Sequence, residues 1–114
     1  LISTDISPLN NSGTLNLLGE NGFTEEQKKQ WMQHWMTTGF TALEAMLKDN
    51  KGDFCHGNSP TMADCVLVPQ LYNARRFDLD LKPYPTLVRI DASCARLPAF
   101  KSAHPDNQPD KPAA

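Results

Sequence analysis

Between Thr61 and Phe77 the chain opens a helix with a strong local signal and then fills it with apolar residues, a combination that few architectures accommodate. Thr61 can cap the first turn, and Asp64 can return a bond to the cap's own N–H, so Thr61-Met62-Ala63-Asp64 reads as a capping box. The positive end of the helix dipole also favours a carboxylate there. Met62, Ala63, Cys65, Val66, Leu67, Val68 and Leu71 then cover most of the helix circumference, which predicts a helix inside a bundle. Pro69 removes one backbone donor from its middle and predicts a kink near Cys65, the residue whose carbonyl loses its partner. Loss of the Thr61 or Asp64 cap is expected to cost about 0.5–2 kcal/mol.

The flanking segments are helical too. Thr24 and Gln27 form a second capping box, Glu25 and Glu26 suit the first turn, and Trp31, Trp35, Phe40, Leu43 and Leu47 recur at helical spacing. Met32, Met36 and Met46 widen that apolar face, predicting a helix from Glu25 to Asp49 about 37 Å long at 1.5 Å per residue. Upstream, Ile2, Ile6, Leu9, Leu15, Leu17 and Leu18 outline a weaker helix interrupted by Pro8 and Ser12-Gly13, where Gly costs about 1 kcal/mol relative to Ala. Gly52, Gly57, Asn58 and Pro60 mark a loop from Asn50 to Pro60. Pro85 suits the first position of a fourth helix with Leu87, Ile90, Cys94 and Leu97 inward, and Pro98 opens a short fifth one with Phe100 and Ala103. These elements predict an all-α helical bundle over residues 1–104, followed by a Pro-rich tail, 105–114, extended and laid back over the domain surface.

Charge and cysteine usage narrow the function classes. A net charge of −2 and a pI near 5.8 supply no basic field for nucleic acid or an anionic membrane. No apolar run approaches the roughly 20 residues that span a bilayer, and the start lacks the layout of a secretion signal. Cys55, Cys65 and Cys94 are an odd number without paired spacing, which argues against a disulfide framework or zinc site and for a cytoplasmic protein. Cys65 and Cys94 are expected as small core residues, and Cys55, beside His56, as a loop residue. His34 and His104 have no partner at catalytic spacing.

The series Thr-Met-Ala-Asp, Val-Pro-Gln and Asn73-Ala74-Arg75-Arg76-Phe77 resembles the central helix of the C-terminal domain of zeta-class glutathione transferases, the class that includes maleylacetoacetate isomerase. The resemblance extends through Tyr84-Pro85-Thr86, Leu97-Pro98-Ala99-Phe100 and His104-Pro105-Asp106, and upstream through Pro8-Leu9-Asn10-Asn11 and Gly39-Phe40-x-Ala42-Leu43-Glu44, covering nearly the whole chain. It implies a glutathione transferase C-terminal fold and glutathione as cofactor. It also implies a thioredoxin-like N-terminal domain with a Ser-Ser-Cys motif, which these residues do not contain. The chemistry so implied is cis–trans isomerisation of maleylacetoacetate to fumarylacetoacetate, in tyrosine and phenylalanine catabolism, by reversible thiolate addition. The helical domain would supply the substrate-side wall.

Arg76 is the candidate for a substrate carboxylate, because a guanidinium fork binds one with two parallel hydrogen bonds, and Asn73 lies one turn before it. Read from the residues alone, Arg76 equally suits a salt bridge to Asp78 or Asp80, or a charge on the helix C-terminus, and Arg75 is expected to be solvated. The resemblance places Asn10 near glutathione, with Thr14, Leu15 and Asn16 one turn further along the same surface. It implies a homodimer acting on a small anionic substrate, with the intact parent an enzyme and these 114 residues inactive alone. The alternative is a stand-alone, non-catalytic interaction module.

Overall fold

In the computed structural model, which describes residues 1–113, five α-helices follow two short N-terminal turns. Ile2–Ile6 is a wide π-helical turn and Ser7–Leu9 a 3-10 turn, after which come α1 (Ser12–Glu20), α2 (Glu25–Leu47), α3 (Met62–Arg76), α4 (Pro85–Ala95) and α5 (Pro98–Ala103). No strand occurs among the described residues. The expected first helix is thus three pieces. Pro8 begins the break, and Asn11 restarts the chain as the cap of α1 by accepting from the Thr14 N–H at 2.9 Å.

The core is one cluster. Ile2 and Ile6 from the first turn meet Met32, Met36, Phe40 and Leu43 of α2, Leu67, Leu71 and Ala74 of α3, and Leu87, Ile90 and Cys94 of α4. Helix α2 starts with its capping box in place, Thr24 Oγ1 accepting from Gln27 N–H at 3.2 Å and Gln27 Oε1 from Thr24 N–H at 2.8 Å. It ends two residues before the expected stop, and Met46, 70% exposed, faces away from the core it was expected to widen. Ile6 packs against Gly39 so closely that a Cβ there would fall inside its side chain.

Asp64 organises the entrance to α3. The carboxylate is fully buried and accepts from Thr61 N–H at 2.7 Å, the Thr61 hydroxyl at 3.2 Å and, through its other oxygen, Cys55 N–H at 2.8 Å. Thr61 and Asp64 therefore share the reciprocal arrangement of a capping box, but the Thr61 hydroxyl makes no well-formed cap bond of its own and donates to the acid. Burial pulls the Asp64 carboxyl upward, while the bonds from Cys55 and Thr61 outweigh it and hold the group below its ordinary 3.8. Asn50 joins the same loop from the other side, its amide donating to Phe54 and Cys55 carbonyls.

Helix α4 is capped from outside. The Glu44 carboxylate of α2 accepts from Thr86 N–H at 2.9 Å and Leu87 N–H at 3.1 Å, satisfying first-turn donors that Pro85 and Tyr84 leave open. The tail departs from the extended path expected of it. Pro105–Asn107 form a 3-10 turn, and Gln108 donates back to the carbonyls of Ser102 and His104.

Two outcomes test this packing. Asp64→Ala should lower unfolding stability by about 2–4 kcal/mol, since a cap is lost and buried donors are left unpaired. The folded pKa of Asp64 lies below its unfolded value, so the stabilisation is complete above about pH 4 and disappears as pH falls through the lower folded value. Asp64→Asn should accordingly show a flatter acid limb in an unfolding series. Gly39→Ala should lower unfolding stability despite alanine's helix propensity, by about 1–3 kcal/mol of overpacking, and Ile6→Ala in the same chain should cost less than the two changes added separately.

Candidate functional site

Helix α3 turns one face inward and leaves the other open. Leu67, Leu71 and Ala74 are fully buried, whereas Met62 is 79% exposed and Cys65, Pro69 and Arg76 also face outward, with Asn73 half-buried among them. The apolar girdle expected around this helix is therefore covered on one side only. Cys65 is exposed, not a core residue; Cys94 is buried as expected. The difference arises because no other helix of the chain packs over that face.

Two clefts border the open face, and a third lies apart from it. One, of about 330 Å³, lies between α3 and the N-terminal turns and gathers Asn73, Gln70 and Cys65 with Ser3 and Ser7. A second, of about 390 Å³ and mostly apolar, runs from Cys65, Pro69 and Tyr72 to Phe100, Ala103 and His104 on α5. Here the Tyr72 and His104 rings meet edge to face with centroids 5.4 Å apart. A third, of about 410 Å³, lies at the α1–α2 turn and holds Leu15 and Asn16 together with Lys28, Lys29, Met32 and Phe77.

Arg76 ends α3 as an exposed cation. Among the described residues it has no acidic partner: Asp78 is taken by Lys29 at 2.8 Å, and the guanidinium lies 5.7 Å from the Phe77 ring centroid. Arg75 instead carries the ion pair, to Asp91 at 2.7 Å, and is not simply solvated. Arg76 lines none of the three clefts but adjoins Phe77, which lines the third. Asn73 and Arg76, three residues apart, share one face of α3.

The residues expected near glutathione do not converge on one cleft. Asn10 is nearly buried; its amide donates to Ile6 O at 2.9 Å, and its Oδ1 is buried with no partner, an orphaned acceptor of the kind a peptide N–H satisfies. The Thr14 hydroxyl donates to Pro8 O at 2.8 Å. Leu15 and Asn16 face the third cleft, so these residues and Asn73 line different clefts within these residues. Two groups went unnoticed in the sequence: Gln33, whose amide donates to Phe77 O at 2.7 Å, and Lys29, whose bond to Asp78 raises its pKa above the ordinary 10.5. Their signal is weak, since polar residues on an exposed helix face rarely name a distant partner.

The thiols are separated by environment. Burial, then the adjacent Asp64, pushes Cys55 to about 12, and burial with the charges of Asp64 and Asp91 pushes Cys94 to about 11. Neither is a nucleophile near neutral pH. No group of three or more His, Cys, Asp or Glu side chains suited to a metal, and no helix long and apolar enough to cross a membrane, occurs among the described residues.

This architecture is that of an all-helical domain whose central helix leaves one face open. Residues 14–102 match the family model described as the glutathione S-transferase C-terminal domain, and the chain belongs to that family. It is 50% identical over 112 residues to the probable maleylacetoacetate isomerase 2 of Drosophila melanogaster, covering 98% of this chain and 47% of that protein. The maleylacetoacetate isomerase of Anaeromyxobacter dehalogenans, solved with dicarboxyethyl glutathione and citrate in its active site, superposes with a TM-score of 0.91 at 48% identity, covering 97% of this chain and 50% of that one. A maleylpyruvate isomerase described as a bacterial zeta-class glutathione S-transferase gives a TM-score of 0.95 at 42% identity, covering 97% and 54%. The chain thus spans about half the length of these relatives.

The contrast in thiol exposure is directly measurable. At pH 7.5 a chromophoric disulfide reagent should titrate one thiol per folded chain rapidly, and Cys65→Ser should remove that phase while leaving the slow reaction of Cys55 and Cys94.

Proposed function

We propose that this domain is the substrate-side half of a glutathione-dependent cis–trans isomerase acting on maleylacetoacetate or a related maleyl acid. The observation that carries the reading is Arg76, an exposed guanidinium with no acid partner among the described residues, one turn from Asn73 on the same face of the central helix. A substrate carboxylate supplies the partner this cation lacks, with Asn73 as a neutral donor beside it. The acids bound in the active site of the Anaeromyxobacter relative are in keeping with an anion-reading site.

In this reading glutathione lies beside Asn10, Thr14, Leu15 and Asn16, of which Leu15 and Asn16 face the cleft at the α1–α2 turn. The chemistry glutathione supplies when bound is reversible thiolate addition, which lowers the order of the conjugated double bond and lets the cis acid turn trans. Arg76 would hold the carboxylate end still while the bond turns, its positive charge favouring the extra negative charge that develops on the substrate. The open apolar face of α3 is where a thioredoxin-like half with the thiol-activating residues would close the cleft. Residues 1–104 form the domain and 105–114 its tail; the protein works as a homodimer in the cytoplasm, where its three unpaired thiols stay reduced.

Turnover measurements test this. Residues 1–114 with glutathione should show no isomerisation of maleylacetoacetate, and the same residues joined to a thioredoxin-like half should show it. In the joined protein Arg76→Ala should lower kcat/KM by about ten- to a hundredfold, the worth of one charge-assisted hydrogen bond, with Arg76→Lys intermediate. Full activity in Arg76→Ala would sink the assignment.

A further inference from the structure

We infer that Lys29 and Gln33 of α2 are positioning residues for Arg76: they clamp the turn that carries the guanidinium, so an anion meets a cation already in place. The inference rests on the anion-reading role proposed for Arg76.

The turn after α3 is costly to form. Phe77 N–H donates to the carbonyls of Asn73 and Ala74 at 3.2 Å, Leu79 N–H reaches back to Ala74 O at 3.0 Å, and between them Asp78 has a left-handed backbone with φ 56°. A residue other than Gly in that region persists where its surroundings over-determine it. Here the surroundings are two side chains one helical turn apart on α2. Gln33 Nε2 donates to the Phe77 carbonyl at 2.7 Å, and Lys29 Nζ to Asp78 Oδ2 at 2.8 Å. The two bonds grip the two residues that directly follow Arg76.

Such a pair adds little to stability, because Asp78 is 76% exposed and an open ion pair is worth little. Its effect lies in geometry. The guanidinium rests 5.7 Å from the Phe77 ring, so fixing Phe77 also fixes the surface beside which Arg76 waits. An arginine held in this way surrenders less rotamer entropy when a carboxylate arrives, and affinity rises without any new contact. The same clamp removes Asp78 as a competing acid for Arg76, since its carboxylate is already engaged by Lys29.

The test uses maleate as probe and 15N-labelled chain, following the Arg76 Nε–Hε signal, which is identified by its loss in Arg76→Lys. Lys29→Met and Gln33→Leu should each weaken maleate binding about three- to tenfold, the worth of one such bond, and broaden the Arg76 signal. If Gln33→Leu does not fold, the surface pair decides: Lys29→Asp combined with Asp78→Lys should restore affinity and a sharp signal, a rescue that a merely structural role would not give. Unchanged affinity and an unchanged Arg76 signal in folded Lys29→Met and Gln33→Leu, with Arg76→Ala abolishing binding, would overturn the clamp and leave the role of Arg76 standing. Maleate binding indifferent to Arg76→Ala would overturn both.

Discussion

A buried carboxylate holds this fold at its centre. Asp64 collects the N–H of Thr61, which starts α3, and the N–H of Cys55, which belongs to the loop between α2 and α3. One side chain thereby satisfies donors that helix formation and loop burial would otherwise strand, and sets where α3 enters the bundle. Everything further along α3, from the core residues Leu67 and Leu71 to Arg76 at its end, inherits its position from that anchor. The other helices are arranged around it by similar long-range contacts, as when Glu44 of α2 caps α4.

The candidate site is the complement of the core. Helix α3 buries one face against α4 and the N-terminal π-helical turn and offers the other, so the residues available for chemistry are those the packing does not use. This is why Cys65, Asn73 and Arg76 are accessible while Leu67, Leu71 and Ala74 are not. It is also why Arg75 and Arg76, adjacent in the chain, have different fates. A 100° step around the helix brings Arg75 to Asp91 of α4, while Arg76 makes no ion pair among the described residues.

Much of the architecture was legible in local sequence because local physics dictates it. The Thr24–Gln27 box starts α2 where it should, Pro85 and Pro98 stand at the first positions of α4 and α5, and the apolar spacing of Phe40, Leu43, Leu87 and Ile90 names core residues correctly. The order of motifs from Pro8 to Asp106 likewise pointed to the glutathione transferase C-terminal domain, the family to which the chain belongs. Three of the misreadings share one cause. Cys65, Met62 and Met46 are apolar residues on helices that bury only one face here, and hydrophobicity alone does not state which neighbour is present to cover them.

Sequence by itself determined helices α2 to α5, the capping box of α2 and the family, since capping, proline placement and apolar period act over a few residues. Tertiary structure alone decided which arginine stayed free of an ion pair, that Asp64 reaches back to Cys55, and that Gln33 and Lys29 grip the turn behind Arg76. Those contacts join residues as many as 49 positions apart, and a polar side chain carries no local mark of the distant group that folding brings to it.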